Sequence, residues 1–198
     1  TISAQLNKYQ DAIKFFQETI KINPNYKETQ NNLGNIFNEL GQYEEAEHCY
    51  KKAIDIDENF VDANYNYGNF LEKIGKNKDA LQYYKKTIEL DPGYIKAHYN
   101  LGNVYEKLRE LEKAISSYKK VIQINPDFIL AYIGLGILYR GAGEIKKAII
   151  YFEKAIEIDP KNLNAHWLNM NSFPIVYENT EELNLYRKRF EENIKKID

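Results

Sequence analysis

The stretch Asn100-Leu101-Gly102-Asn103 decides the fold, because its pattern returns at one fixed spacing along the chain. The related stretches are, in chain order, Asn32-Leu33-Gly34-Asn35, Asn66-Tyr67-Gly68-Asn69 and Gly134-Leu135-Gly136-Ile137. Their central glycines, Gly34, Gly68, Gly102 and Gly136, are evenly spaced. A second series, an alanine followed four residues later by an aromatic residue, keeps the same spacing. The constant interval from each of these glycines to the next indicates a helical repeat protein.

The recurring glycines need a physical reason, because glycine inside a helix costs about 1 kcal/mol relative to alanine. We predict that each one allows a close approach of the second helix of its repeat, with alanines such as Ala46 as the matching small residues. Large apolar residues recur at three- and four-residue intervals, which is typical of helices buried on one face. Each unit is therefore predicted to be a pair of antiparallel helices.

Prolines close most of the repeats, at Pro24, Pro92, Pro126 and Pro160. The order of a small residue and an aromatic, then Ala-x-x-x-aromatic, then proline resembles the tetratricopeptide repeat. This resemblance implies an all-α fold, a right-handed superhelical solenoid of antiparallel helix pairs. It also implies that the first helices of the pairs line a concave groove where peptides bind.

The register predicts a repeat array over residues 1–162. It divides into a partial first repeat, 1–26, and full repeats at 27–60, 61–94, 95–128 and 129–162. A degenerate repeat with a C-terminal capping helix is expected at 163–198. Turns within the repeats are expected at Asn7 and at Gly41, Gly75, Arg109 and Gly143, with Arg109 marking a less regular turn because it is not glycine. The start in mid-repeat without methionine suggests a fragment.

The capping helix is expected to begin after Asn179, an N-cap residue with Glu182 three positions on. Its apolar stripe comprises Leu183, Tyr186, Phe190, Ile194 and Ile197. We expect this helix to dock on the last repeats and to cover Trp167, because the end of a solenoid must shield its last core face.

Composition excludes several classes of function. The 27 basic and 29 acidic residues give a net charge of −2, so we expect no nucleic-acid partner. The longest apolar run, 128–139, is shorter than the roughly 20 residues that span a bilayer, so we expect no membrane insertion. Cys49 is the only cysteine, which excludes an internal disulfide and suits a reducing, cytoplasmic location. Cys49 is interpreted as a packing residue.

No catalytic, metal or cofactor site is predicted. The three histidines, His48, His98 and His166, show no spacing that suits a shared metal, and we interpret them as packing or solvent-facing residues. The isolated chain is therefore predicted not to be an enzyme.

Function is instead expected on the inward face of the first helices. By resemblance, the peptide-binding residues are Asn32, Asn35, Tyr65, Asn66, Asn69, Tyr99, Asn100, Asn103, Ile133, Ile137 and Trp167. We call the positions equivalent to Asn31, Asn32, Asn35 and Asn38 in each repeat the ladder positions. Asparagine amides can hold a peptide backbone of any sequence, and we expect these to be free of packing duty. The alternative is that gene duplication simply copied an asparagine-rich register.

The ladder changes from polar to apolar after Asn103. We predict an apolar pocket near Ile133, Ile137 and Trp167 for a bulky side chain. Two alternatives are that the segment 173–177 folds back over this face, or that a neighbouring subunit covers it, because exposed apolar patches are uncommon on soluble monomers. Self-association through exposed apolar surface is thus a further expectation.

Two functions follow. The first is a scaffold that binds a peptide or partner protein in its groove. The second is the substrate-recruiting arm of a protein O-glycosyltransferase whose catalytic domain is absent from this chain. The asparagine ladder resembles the repeat arm of O-linked N-acetylglucosamine transferases, and the stretches 173–177 and 186–190 are similar to the joint that leads to their catalytic domain.

Overall fold

Helices build the part of the chain that the structure describes. The computed structural model describes residues 2–174 and 179–194, with side chains from residue 7 onward. These described residues form eleven α-helices and contain no β-strand, which confirms the predicted all-α class. The chain divides into two compact units, Thr1–Val104 and Tyr105–Asp198.

The helices repeat with the period read from the glycines. They are α1 (Ile2–Ile22), α2 (Lys27–Glu39), α3 (Tyr43–Ile56), α4 (Val61–Lys73), α5 (Asn77–Leu90), α6 (Ile95–Lys107), α7 (Leu111–Ile124), α8 (Ile129–Gly141), α9 (Ile145–Ile158), α10 (Leu163–Met170) and α11 (Thr180–Ile194). The first helices of the repeats, α2, α4, α6, α8 and α10, begin at the same even spacing as the glycines. Within the units, α2 packs mainly on α3, α4 on α5, and α8 on α9.

Aromatic rings lie against the helical glycines. A Cβ added at Gly34 would lie 2.8 Å from the Tyr50 ring, and one at Gly68 would lie 2.9 Å from the Tyr84 ring. The prediction of a close approach is therefore confirmed at these glycines. The atoms nearest to the added Cβ belong to the aromatic ring, while Ala46, one turn before Tyr50, is fully buried.

The turns inside the repeats share one backbone geometry. Gly41, Gly75 and Gly143 have φ of 74°, 81° and 80°, and Arg109 has φ of 60°. The N–H of Glu110 donates to the Tyr105 carbonyl at 2.9 Å, as that of Gln42 donates to Phe37 at 2.9 Å. The expectation of a less regular turn at Arg109 is wrong, because these helix-closing hydrogen bonds hold the arginine in the left-handed region.

The predicted turn at Asn7 is also wrong, since α1 continues through it from Ile2 to Ile22. A single asparagine inside a helix costs well under about 1 kcal/mol, so the helix continues.

A side chain near the start of several first helices fastens the preceding loop. Asn64 Nδ2 donates to the Glu58 carbonyl at 3.0 Å. His98 Nε2 lies 3.1 Å from the Pro92 carbonyl, and His166 Nε2 lies 3.0 Å from the Pro160 carbonyl. A carbonyl only accepts, so each histidine donates through Nε2. These histidines are therefore structural.

The C-terminal helix α11 docks within the second unit. The Glu182 N–H donates to Asn179 Oδ1 at 2.8 Å, which confirms the predicted cap. Phe173 packs on both Tyr186 and Phe190, with ring centroids 6.3 and 5.9 Å apart. Arg189 turns inward and donates to Asn169 Oδ1 at 2.6 Å.

The predicted stripe and cover of α11 need correction. Ile194 is exposed, while Asn193 is buried. Ile197 lies outside the described residues. Trp167 is 59% exposed although α11 is in place, so α11 does not cover it. Leu183, Tyr186 and Phe190 of the predicted stripe are buried or half-buried. The buried side of α11 also includes two polar residues outside that stripe, Arg189 and Asn193.

Among the eleven described helices, none combines the length and the hydropathy that a bilayer-spanning segment requires.

We predict that overpacking a glycine destabilises its helix pair. Gly136 faces the buried Phe152 ring, and an added Cβ would lie 2.7 Å from Phe152 Cδ1. Gly136→Leu should lower the free energy of unfolding by about 1–3 kcal/mol, measured by urea denaturation. Gly141, in the same helix, has no atom within 4 Å of an added Cβ, so Gly141→Leu is the matched control and should cost little. Equal effects of the two substitutions would contradict the close-packing account.

We also predict that Arg109→Gly stabilises the protein. A non-glycine residue in the left-handed region costs roughly 1–2 kcal/mol, and the entropy cost of glycine offsets about 0.5–1 kcal/mol of the gain. The urea midpoint should therefore rise slightly. The reciprocal change, Gly75→Arg at an equivalent turn, should lower it. A lower midpoint for Arg109→Gly would show that the arginine side chain stabilises the turn in another way.

Candidate functional site

The ladder positions of neighbouring first helices are joined by amide hydrogen bonds in the first unit. Asn66 Nδ2 donates to Asn31 Oδ1 at 3.0 Å, which links α4 to α2. Asn100 Nδ2 donates to Asn69 Oδ1 at 2.8 Å and to the Tyr65 hydroxyl at 3.3 Å, which links the next repeat to α4. The predicted site residues Tyr65, Asn66, Asn69 and Asn100 are thus held together by direct contacts.

Buried tyrosines reach the same ladder from the second helices. The Tyr50 hydroxyl donates to Asn35 Oδ1 at 2.8 Å. The Tyr84 hydroxyl lies 2.8 Å from Asn69 Oδ1 and 2.7 Å from Glu72 Oε2, and its single proton serves one acceptor at a time. Burial is the main reason that the pKa of both hydroxyls is raised, so they stay protonated donors.

The asparagines are therefore not free of packing duty, contrary to expectation. Asn35 and Asn69 accept hydrogen bonds from tyrosines whose rings lie in the core. Sequence reasoning missed Tyr50 and Tyr84 as parts of this network. The available signal was a tyrosine at one constant spacing after each of these asparagines, where the fifth repeat has phenylalanine.

The fifth repeat shows what happens when the hydroxyl is missing. Phe152 replaces tyrosine, and the ladder positions read Ile137 and Arg140. The Arg140 guanidinium lies over the Phe152 ring, 6.0 Å from its centroid. In the preceding repeat, Tyr118 donates to Glu106 Oε2 at 3.0 Å. A ladder acceptor thus accompanies the tyrosine in the fourth repeat, whereas Ile137 stands at the position equivalent to Asn35 in the repeat of Phe152.

The remaining predicted site residues differ in exposure. Asn32 is exposed, whereas Tyr99 and Asn103 are half-buried. In the second unit Ile133 is 6% exposed, Ile137 is half-buried and Trp167 is 59% exposed. Leu130, one turn before Ile133, is 50% exposed. Residues 175–177, which were considered as a cover for this face, lie outside the described residues.

Cys49 has the properties of a packing residue. It is 6% exposed, and burial raises the pKa of its thiol to about 11. The reactive thiolate is therefore scarce at neutral pH. Within the described residues, no group of three or more histidine, cysteine or carboxylate side chains is arranged to hold a metal ion.

Sequence profiles of the tetratricopeptide repeat match the chain. One matches residues 28–60, 95–128 and 129–162, and others match residues 1–26 and 49–82. A further profile, described as a TPR repeat, matches residues 73–108. No curated protein matches the chain by sequence.

Solved structures add relatives with the same fold. A structure of MamA is 32% identical, with a TM-score of 0.74, over 81% of this chain and 94% of that chain. YrrB, described as a TPR protein with an unusual peptide-binding site, is 21% identical, with a TM-score of 0.72, over 92% of this chain and 90% of that chain. PilF of Pseudomonas aeruginosa is 18% identical, with a TM-score of 0.78, over 96% of this chain and 83% of that chain.

The matched profiles, the identity to MamA and the evenly repeated helix pairs all agree. Tetratricopeptide repeats form scaffolds for protein interaction, which is consistent with the prediction that this chain by itself is not an enzyme. The chain belongs to the tetratricopeptide repeat family.

Proposed function

We propose that the chain binds an extended peptide of a partner protein along its ladder positions. The observation that carries this proposal is the fixed orientation of the ladder amides. Asn35 and Asn69 are each held by a buried tyrosine hydroxyl, and Asn66 and Asn100 are each held by the preceding repeat. Groups that are already ordered lose little conformational entropy when a ligand binds.

The polar zone lies in the first unit and comprises the ladder positions of α2 and α4 together with Asn100. Each asparagine amide has two donor hydrogens and two acceptor lone pairs. The internal hydrogen bonds use only part of this capacity, and Asn66, Asn69 and Asn100 remain partly exposed to solvent. The remaining donors and acceptors suit the alternating N–H and C=O groups of a peptide backbone. The polar zone would therefore bind the backbone of the peptide and tolerate many peptide sequences.

The apolar zone lies in the second unit and comprises Leu130, Ile133, Ile137 and Trp167. Leu130 and Trp167, both large apolar side chains, are half exposed or more and are therefore available to a partner. Ile133 is buried and can supply packing beneath the surface but not the contact itself. We propose that Leu130, Ile137 and Trp167 contact bulky apolar side chains of the partner. YrrB, which shares the fold, is described as having a peptide-binding site.

The second function, the arm of an O-glycosyltransferase, rests on the sequence resemblance alone. None of the relatives named above is described as a glycosyltransferase. It stays a prediction that the sequence of the gene beyond Asp198 would test. Self-association and a cytoplasmic location likewise stay predictions.

We predict that a charge placed in the apolar zone weakens peptide binding. The probe is a peptide selected on the wild-type protein from a phage-displayed random library, and the signal is the fluorescence of Trp167, the only tryptophan. Ile137→Glu should weaken binding of that peptide by about tenfold or more, because it adds an unpaired charge to the contact. The matched control is Ile150→Glu on α9, where the isoleucine is 62% exposed, and it should bind normally. Equal binding by both variants would contradict the proposed zone.

We also predict that the tyrosine hydroxyls hold the polar zone in position. Tyr84→Phe keeps the buried ring, as Phe152 does in its own repeat, but removes the donor to Asn69 and Glu72. Loss of this hydrogen bond should cost about 1 kcal/mol of unfolding free energy, measured by urea denaturation. Binding of a selected peptide that depends on the polar zone should weaken as well. If binding were unchanged while stability fell, the tyrosine would be purely structural.

A further inference from the structure

In the second repeat, a lysine of the chain itself fills a corner made of a carboxylate and an aromatic ring. Lys27 Nζ lies 2.5 Å from Asp57 Oδ2 and 4.9 Å from the centroid of the Phe60 ring. The other oxygen, Asp57 Oδ1, accepts the Asn59 N–H at 2.9 Å. Phe60 N–H donates to the Asp57 carbonyl at 3.1 Å and fixes the turn. The corner thus binds one ammonium group.

The same corner returns one repeat later without the lysine. Asp91 Oδ1 accepts the Gly93 N–H at 2.9 Å, and Tyr94 N–H donates to the Asp91 carbonyl at 3.1 Å. The position of Lys27 is taken by Val61, which cannot supply a charge. Within the described part of the chain, Asp91 Oδ2 has no ion-pair partner. The loop hydrogen bonds and the aromatic residue are kept, but the internal cation is gone.

Two further residues make this second corner more suited to a cation than the first. The Tyr65 ring lies 4.8 Å from the Tyr94 ring, centroid to centroid. Asp62, the equivalent of Glu28, is an exposed carboxylate in the first turn of α4. Burial raises the pKa of Tyr94 to about 12, and the charges of Asp62 and Asp91 add to this rise. Carboxylates beside aromatic faces bind organic cations by charge and by cation–π attraction.

The later repeats do not keep this combination. Asn125 replaces the aspartate beside Phe128, so the charge is missing. Asp159 is followed by Asn162, so the ring is missing. Lys96, on the neighbouring first helix, forms no ion pair with Asp62 or Asp91 among the described residues. The corner at Asp91 therefore combines both elements without an internal cation.

We propose that Asp91, Tyr94, Tyr65 and Asp62 bind the ammonium or guanidinium group of a lysine or arginine side chain on the bound peptide. This inference rests on the proposed function, since Tyr65 is one of the ladder residues and places the corner beside the polar zone. It adds a preference to that function: a basic side chain in the part of the ligand that contacts the third repeat.

The test uses a small probe, so that it does not depend on the peptide groove. The isotope-labelled full chain is titrated with Nα-acetyl-lysine N-methylamide at low salt, and amide shifts are followed by NMR. We expect saturable shifts at Gly93 and Tyr94, and no such shifts with the Nε-acetylated probe, which has no charge. Equal shifts with both probes would overturn the proposal. If spermidine, a free polyamine, bound more tightly than the lysine probe, this result would overturn the proposal that the cation comes from a peptide side chain.

Two substitutions complete the test. Val61→Lys copies Lys27 into the third repeat and should weaken probe binding about tenfold or more, because an internal ammonium then occupies Asp91. Asp91→Asn should have the same effect while keeping the turn, since Asn125 Oδ1 accepts the Asp127 N–H at 3.0 Å in the next repeat. Conversely, Lys27→Val should create a second set of saturable shifts at Asn59 and Phe60. Unchanged probe binding in both Val61→Lys and Asp91→Asn would overturn the proposed site even if peptides still bind elsewhere on the ladder.

Discussion

The packing of an aromatic ring against a helical glycine is the interaction on which the rest of the structure depends. Tyr50, Tyr84 and Phe152 are almost completely buried, and each lies where a Cβ on the facing helix would have no room. Burial of such a ring contributes at most about 4–6 kcal/mol at about 25 cal/mol per Å². The glycine costs about 1 kcal/mol of helix propensity. The net free energy therefore favours the contact between glycine and ring. This contact recurs because it sets the distance between the two helices of each pair.

The group at the para position of that ring, a hydroxyl in tyrosine and a hydrogen in phenylalanine, also decides which residues stand at the ladder positions. A buried hydroxyl without a partner costs about 1–3 kcal/mol, so a tyrosine requires an acceptor on the first helix. Asn35, Asn69 and Glu106 supply it. Phenylalanine has no such requirement, and Ile137 stands at the equivalent position in the repeat of Phe152. The polarity of a surface available to a partner is thus coupled to a core residue on the other helix.

Differences between the repeats are informative because the backbone is so similar. The loops at Asp57 and Asp91 have the same hydrogen bonds, yet only the first has an internal lysine beside it. The turn at Arg109 has the same left-handed geometry as the turns at glycine. Packing between the helices of a pair therefore imposes the backbone, and side chains outside that packing are free to differ. Such positions are where separate binding preferences can arise on a repeated scaffold.

The sequence by itself determined the period, the helix pairs, the close approach at the glycines and the cap at Asn179. These follow from local physics, because the spacing of apolar residues, glycine and proline acts within one or two helices. Only the tertiary structure decided that Tyr84 faces Gly68, that Asn69 bonds to both Tyr84 and Asn100, and that Trp167 stays exposed. The contacts of Tyr84 and Asn69 join residues that are distant in the sequence. They depend on the distances between helices and between repeats, which the packing of the helices sets.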